Sequence, residues 1–152
     1  MSNSTQSFAQ RVTEQQAIPN IKELLYMSIG KGASDLHLTA HRTPLIRING
    51  HLSQLIPQTL TPTDMRILLN SVMNSRQRTV YELEKEVDFA LSLENGQRFR
   101  VNAYFQRGHM AAALRAIPSE IPEPHDVNIP DSIMQFCDKP HGLILVVGPT
   151  GS

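Results

Sequence analysis

Three alternating runs in the middle of the chain constrain its fold more tightly than any other feature. Val87, Phe89, Leu91 and Leu93 alternate with Asp88, Ala90 and Ser92, and Phe99, Val101, Ala103 and Phe105 alternate with Arg98, Arg100, Asn102 and Tyr104. Successive side chains of a strand point to opposite faces, so both runs read as strands with one buried and one wet face. A third strand, over 109–117, follows Arg107-Gly108. With those two residues as the loop, Phe105 opposes Met110, Ala103 opposes Ala112 and Val101 opposes Leu114, which is a consistent apolar face. For the first hairpin, a two-residue turn at Asn95-Gly96 would set Leu91 against Arg100 and mix the faces. A three-residue loop over 95–97 sets Leu93 against Phe99 and Leu91 against Val101, and is the expected one.

The second hairpin also sets Arg100 directly opposite Arg115. Like charges paired across strands destabilise a sheet unless something negative lies near. Two explanations stand. Each arginine is an ordinary solvated charge paired with a carboxylate such as Glu94 or Asp88, or the pair is a grip in which both guanidiniums reach phosphate. As a grip, either arginine replaced with Gln relieves repulsion and leaves the domain as stable or slightly more so.

The other elements follow from caps and turns. Residues 1–19 are polar with few large apolar side chains and are expected to form a disordered tail. Asn20 with Glu23 makes a capping-box pattern, and Ile21, Leu24, Leu25 and Ile29 form a helical stripe ended by Gly30 and Gly32. Residues 34–39 alternate as a strand with Leu36 and Leu38 inward. Strands over 45–48 and 52–56 flank Asn49-Gly50, a hairpin signal. Thr61-Pro62-Thr63-Asp64 reads as an N-cap opening a helix with Met65, Leu68, Leu69 and Val72 on one face, and a second helix follows over about 75–85. The result is an α/β chain of the α+β kind, with an antiparallel sheet and flanking helices over 20–117. Prolines 118, 122, 124 and 130 mark 118–130 as an extended linker. A short helix over 131–138 follows, on which Cys137 joins Ile133, Met134 and Phe136 as a core residue.

Charge and cysteine content narrow the function. Lys plus Arg and Asp plus Glu number 14 each, so no overall charge directs the chain to nucleic acid or to an anionic membrane surface. Any anion site must be local. The single cysteine forms no internal disulfide, and no Cys/His spacing of the zinc type occurs, as expected in a reducing cytoplasm. No apolar run reaches the roughly 18 to 20 residues of a membrane span, and the N-terminus has no apolar signal segment, so direct membrane insertion is not expected. Work at a membrane would depend on partners.

Near its end the chain carries five consecutive apolar residues, Leu143, Ile144, Leu145, Val146 and Val147, followed at once by Gly148-Pro149-Thr150-Gly151-Ser152. The run suits a parallel strand buried on both faces. A phosphate-binding loop of pattern G-x-x-x-x-G-K-[ST] begins this way, with Gly148 at the first position and Ser152 at the fifth. The strand has no partner of its own kind nearby in sequence and is expected to open a second domain over 131–152. Elsewhere, His37 sits between inward Leu36 and Leu38 and reads as a surface histidine, while His41, Arg42 and Arg47 read as a small basic patch on a solvated face.

The segments Gly32-Ala-Ser-Asp-Leu-His-Leu38, Arg98-Phe-Arg-Val-Asn-Ala103, Arg115-Ala-Ile-Pro118 and Gly142-Leu-Ile-Leu-Val-Val-Gly-Pro-Thr-Gly-Ser152, in that order, resemble the type IV pilus retraction ATPases, the PilT/PilU group of the secretion-ATPase superfamily. The resemblance covers residues 20–152. It implies a PAS-like N-terminal domain, a short linker, the first strand of a RecA-like P-loop core, six subunits in a ring, and ATP with Mg²⁺ between the two domains. Arg100 and Arg115 match arginines that reach ATP phosphates, with Arg107 a third, and Gly148, Pro149, Thr150, Gly151 and Ser152 open the Walker A loop. Tyr104-Phe105-Gln106-Arg107 departs from the family pattern, which bears on Arg107. The implied partners are a homo-hexamer and the pilus platform protein of the inner membrane, and the implied place is the cytoplasm, peripheral to that membrane. Without the Walker A Lys, the Walker B carboxylate and the catalytic Glu, these 152 residues alone are expected to hydrolyse no ATP. Retraction ATPase and accessory paralogue both stay open, and a stand-alone PAS-like binding module is the alternative function.

Overall fold

Two turns with positive φ at both central residues, Asn49-Gly50 (49° and 82°) and Arg107-Gly108 (51° and 80°), each reverse the chain in two residues. They join β2 (Leu45–Ile48) to β3 (His51–Gln54) and β5 (Arg98–Gln106) to β6 (His109–Ile117). The computed structural model describes residues 18–118, 121, 123–145 and 147–148. In it these hairpins combine with β1 (Asp35–Thr39) and β4 (Glu86–Ser92) into one antiparallel sheet of order β3-β2-β1-β6-β5-β4. The central contact is β1 on β6, with Asp35 against Arg115 and Thr39 against Ala111.

The β5–β6 register is the expected one, with Phe105 against Met110, Ala103 against Ala112 and Val101 against Leu114. The β4–β5 register differs, since Leu91 opposes Phe99 and Phe89 opposes Val101. The loop has three residues, but they are 94–96. Leu93 N–H donates to Gln97 O at 2.8 Å, Gly96 N–H donates to Leu93 O at 3.0 Å, and Gly96 takes φ 85°. A three-residue hairpin needs its left-handed residue at the last loop position, and glycine takes that position most readily. The slip is by two residues, so every side chain keeps its face. It sets Ala90 opposite Arg100 and Asn102 opposite Asp88.

Three helices begin on reciprocal caps. For α1 (Ile21–Gly30), Asn20 Oδ1 accepts from Glu23 N–H at 3.0 Å and Glu23 Oε2 accepts from Asn20 N–H at 2.8 Å. Thr61 and Asp64 do the same for α2 (Pro62–Asn70), and Asn74 and Gln77 for α3 (Ser75–Glu84). Leu24, Leu25, Met65 and Leu69 of the helices join Leu36, Leu38, Val101 and Leu114 of the sheet in one buried cluster, and none of the eight is more than 1% exposed. Each such side chain contributes about 1.5–3 kcal/mol through burial. With that face committed to the core, the opposite face of the sheet presents Asp35, His37, Arg100, Asn102 and Arg115.

The chain divides into two compact units, one up to residue 119 and one from 120 onward. In the second, Pro124–Val127 forms a 3₁₀ turn where an extended linker was expected, because Pro124 presets the first turn and Asp126 Oδ2 accepts from Glu123 N–H at 3.1 Å. A one-turn α4 (Asp131–Met134) and a 3₁₀ turn (Gln135–Asp138) follow. Cys137 is exposed, together with Ile133 and Phe136 at 42% and 52%, and does not sit in a core. Within this unit no second layer exists among the described residues to cover them. Leu143, Ile144 and Leu145 lie exposed outside any ladder, since a strand exists only where a neighbour accepts its hydrogen bonds. The expected tail up to residue 17, Val146 and residues 149–152 lie outside the described residues.

Candidate functional site

One row across the sheet carries four charged residues: Arg47 opposes Asp35, Asp35 opposes Arg115, and Arg115 opposes Arg100. The next row carries His37, Ala113, Asn102 and Asp88. Because Ala113 is small, the two rows and Glu86 enclose a depression of about 360 Å³. Asp35 is the anchor of this site, with a side chain only 8% exposed. Arg115 Nε donates to Asp35 Oδ1 at 2.8 Å, the Ser34 hydroxyl donates to Oδ2 at 2.8 Å, and Arg47 Nε lies 3.7 Å from Oδ2. Across the row, Arg100 Nε donates to Asp88 Oδ1 at 3.4 Å, and Asn102 Nδ2 donates to Glu86 Oε1 at 2.8 Å.

Both opposed guanidiniums are therefore held by a carboxylate at Nε, and among the described residues neither has a partner at its Nη groups. A guanidinium has five N–H donors in a fixed fork, so the outer edge of each remains available to an oxyanion. The two side chains are 71% and 73% exposed, which leaves that edge open to solvent. The flanking acids explain how two arginines tolerate direct opposition.

The ionisation of the anchor follows from its neighbours. Burial alone would raise the Asp35 carboxyl, but hydrogen bonds from Arg115 and Ser34, with the charges of Arg115 and His37, hold it below the usual carboxylate range. The same pair raises Arg115. His37 is lowered, first by burial and then by the positive charges of Arg47 and Arg115, against the pull of Asp35. It lies on the open face yet is half-buried, and its Nε2 is shut from solvent without a hydrogen-bond partner, so it is not the simple surface histidine expected.

The fold brings Arg100 and Arg115 together and leaves Arg107 apart, at the β5–β6 turn beside a different depression. Arg47 does not form a patch with His41 and Arg42. It leans on Asp35, and its Nη1 donates to Gly50 O at 2.9 Å. Glu94 pairs with Lys22 at 3.0 Å rather than with either central arginine. Gly148 is exposed, and the rest of its loop lies outside the described residues. Asp35 was missed because its role depends on β1 meeting β6; the alternation of Asp35, His37 and Thr39 marked only its face. Among the described residues no group of three or more His, Cys, Asp or Glu is placed to hold a metal, and no helix is long and apolar enough to cross a membrane.

No family model matches the chain. Over 133 residues it is 38% identical to the type IV pilus retraction ATPase PilT of Pseudomonas aeruginosa, an alignment covering 88% of this chain and 39% of PilT. It is 33% identical over 131 residues to the type IV pilus ATPase PilU of the same organism, covering 86% of this chain and 34% of PilU. The crystal structure of the pilus retraction motor PilT with bound ADP matches at a TM-score of 0.76 and 41% identity, over 89% of this chain and 40% of that one. The chain thus spans about two fifths of the length of PilT and a third of PilU. Sequence and fold agree that it belongs to the PilT/PilU group of the secretion-ATPase superfamily, as the counterpart of the N-terminal portion of those proteins.

Proposed function

We propose that residues 20–117 form the PAS-like N-terminal domain of an ATP-hydrolysing motor for type IV pilus retraction, and that Arg100 and Arg115 contact the phosphates of ATP. The observation that carries the proposal is the direct opposition of two exposed guanidiniums, each braced at Nε by a carboxylate and open at its outer edge. Such a pair stabilises negative charge that develops on a transferring phosphoryl group, and its bracing removes the need to reorganise at the moment of reaction. Residues 118–130 act as the linker, and 131–152 begin a RecA-like core in which Gly148, Pro149, Thr150, Gly151 and Ser152 open the phosphate-binding loop. Mg²⁺, if bound with the nucleotide, would be held from that core and would supply neutralisation of phosphate charge; among the described residues no group of three or more His, Cys, Asp or Glu is placed to hold it. Six such subunits form the working ring, which meets the pilus platform protein at the cytoplasmic side of the inner membrane.

ATP turnover tests this in a protein that carries the complete Walker A loop and ATPase core. Arg100→Gln or Arg115→Gln is expected to lower the rate by roughly 10³ to 10⁵, the range for an arginine finger, while the hexamer persists. Turnover within about twofold of wild type in both variants would remove the role given to them. The 152-residue chain alone is expected to turn over no ATP.

A further inference from the structure

We infer that the same sheet face holds a second anion site, for a soluble phosphate-class oxyanion, at the β5–β6 turn, built from Arg107, Arg42 and three histidines. His37, His41, Arg42, Arg107 and His109 line a depression of about 480 Å³, and no carboxylate lines it. The Arg100/Arg115 depression, which Asp35, Glu86 and Asp88 border, adjoins it and shares His37. Among the described residues the guanidiniums of Arg42 and Arg107 make no ion pair and no hydrogen bond. His37 Nε2 is buried without a partner, and the rings of His41 and His109 meet edge to face at 5.1 Å. The guanidiniums of Arg42 and Arg107 line it with no carboxylate on either, Asp35 acting of these residues only on His37, and guanidinium forks match phosphate oxygens in pairs. The volume admits an organic phosphate, and Tyr104 and Gln106 border it with further polar groups.

The backbone points the same way, independently of charge. Arg107 holds a left-handed φ of 51°, where side chains other than Gly, Asn, Asp and His are disfavoured. At the first central position of a two-residue hairpin turn, Asn, Asp or Gly would close the turn with less strain than Arg107. Arg107 lines this depression, and strain of this kind gathers at ligand sites. Arg107 lies about 23 Å along β5 from Arg100, at about 3.3 Å per residue, so its guanidinium acts apart from the pair Arg100 and Arg115, although His37 borders both depressions.

The test is ¹H–¹⁵N NMR of the 152-residue chain titrated with inorganic pyrophosphate, against sodium chloride at matched ionic strength. Saturable shifts are expected at residues 41, 42, 107 and 109. Arg107→Asn is expected to weaken that binding about tenfold or more, the loss of one charged hydrogen bond, while the melting temperature holds or rises because Asn-Gly suits the turn. Arg42→Gln should weaken binding in the same way, and Arg100→Gln should leave these shifts unchanged. Shifts reproduced by chloride, undiminished affinity in Arg107→Asn, or a response confined to residues around Arg100 and Arg115 would each overturn the site.

Discussion

Arg115→Gln and Arg100→Gln change two residues that face each other but rest on different carboxylates, and their effects on stability should diverge. Viewed as a repelling pair, either change is neutral or slightly stabilising; the structure gives them separate values. Arg115 Nε stands 2.8 Å from an Asp35 oxygen, and that side chain is 8% exposed. Coulomb attraction at this distance is about 1.5 kcal/mol at the dielectric of water and about 6 kcal/mol at an effective value of 20. Because the guanidinium is 73% exposed, solvent screening holds the gain near the lower figure, and ordering a long side chain reduces it further. Against that, the buried carboxylate loses its main partner, which Arg47 at 3.7 Å and Ser34 only partly replace. The expected loss for Arg115→Gln is about 1–2 kcal/mol, a fall of roughly 5–10 °C for a domain of about 100 residues. Arg100 leans at 3.4 Å on Asp88, which is 49% exposed, so its removal loses at most about 0.5 kcal/mol and relieves repulsion of similar size. Urea and thermal unfolding at pH 7 measure both. In an Asp35→Asn background the cost of Arg115→Gln should mostly vanish, as a double-mutant cycle requires of a direct partner. Two single variants within about 0.3 kcal/mol of each other would refute the view that Arg115 stabilises the fold through Asp35.

His37 ties stability to pH. Its folded pKa lies below the ordinary 6.5, so the unfolded chain takes up the proton first as pH drops through 6.5, and stability should fall there until the folded value is passed. Urea midpoints between pH 7.5 and 5 should show this slope, and His37→Gln should flatten it; a rise on acidification would contradict the burial of the ring. Leu114→Ala, at a side chain with 0% exposure between β1 and β5, should cost about 2–5 kcal/mol in chemical denaturation. Thr61→Ala removes the Oγ1 that accepts from Asp64 N–H at 3.1 Å and should cost about 1 kcal/mol, read as a lower urea midpoint with unchanged slope.

Features governed by residues a few positions apart could be read from the chain itself. Asn20 with Glu23 and Thr61 with Asp64 announced the first two helix starts, because a cap is satisfied within one turn. Asn49-Gly50 and Arg107-Gly108 announced their hairpins, and the alternation of Val101, Ala103, Leu114 and Ala112 then set Arg100 against Arg115. Alternation controls only the parity of a register, so the β4–β5 pairing was expected two residues away from where Gly96, the left-handed residue of its loop, places it. The partner of Arg115 lies beyond any such rule. Asp35 is 80 residues away, and only the pairing of β1 with β6 brings the two within hydrogen-bond distance. The shielding of His37 and the exposure of Cys137 have the same origin, since burial depends on which elements stack on which. Local sequence determined the helix starts, the two-residue turns and the face each strand residue occupies, because backbone hydrogen bonding and side-chain alternation act over a few residues. The tertiary structure decided which carboxylate braces which arginine, because that choice rests on a long-range strand pairing selected by burial of the whole core and marked by no residue near either end.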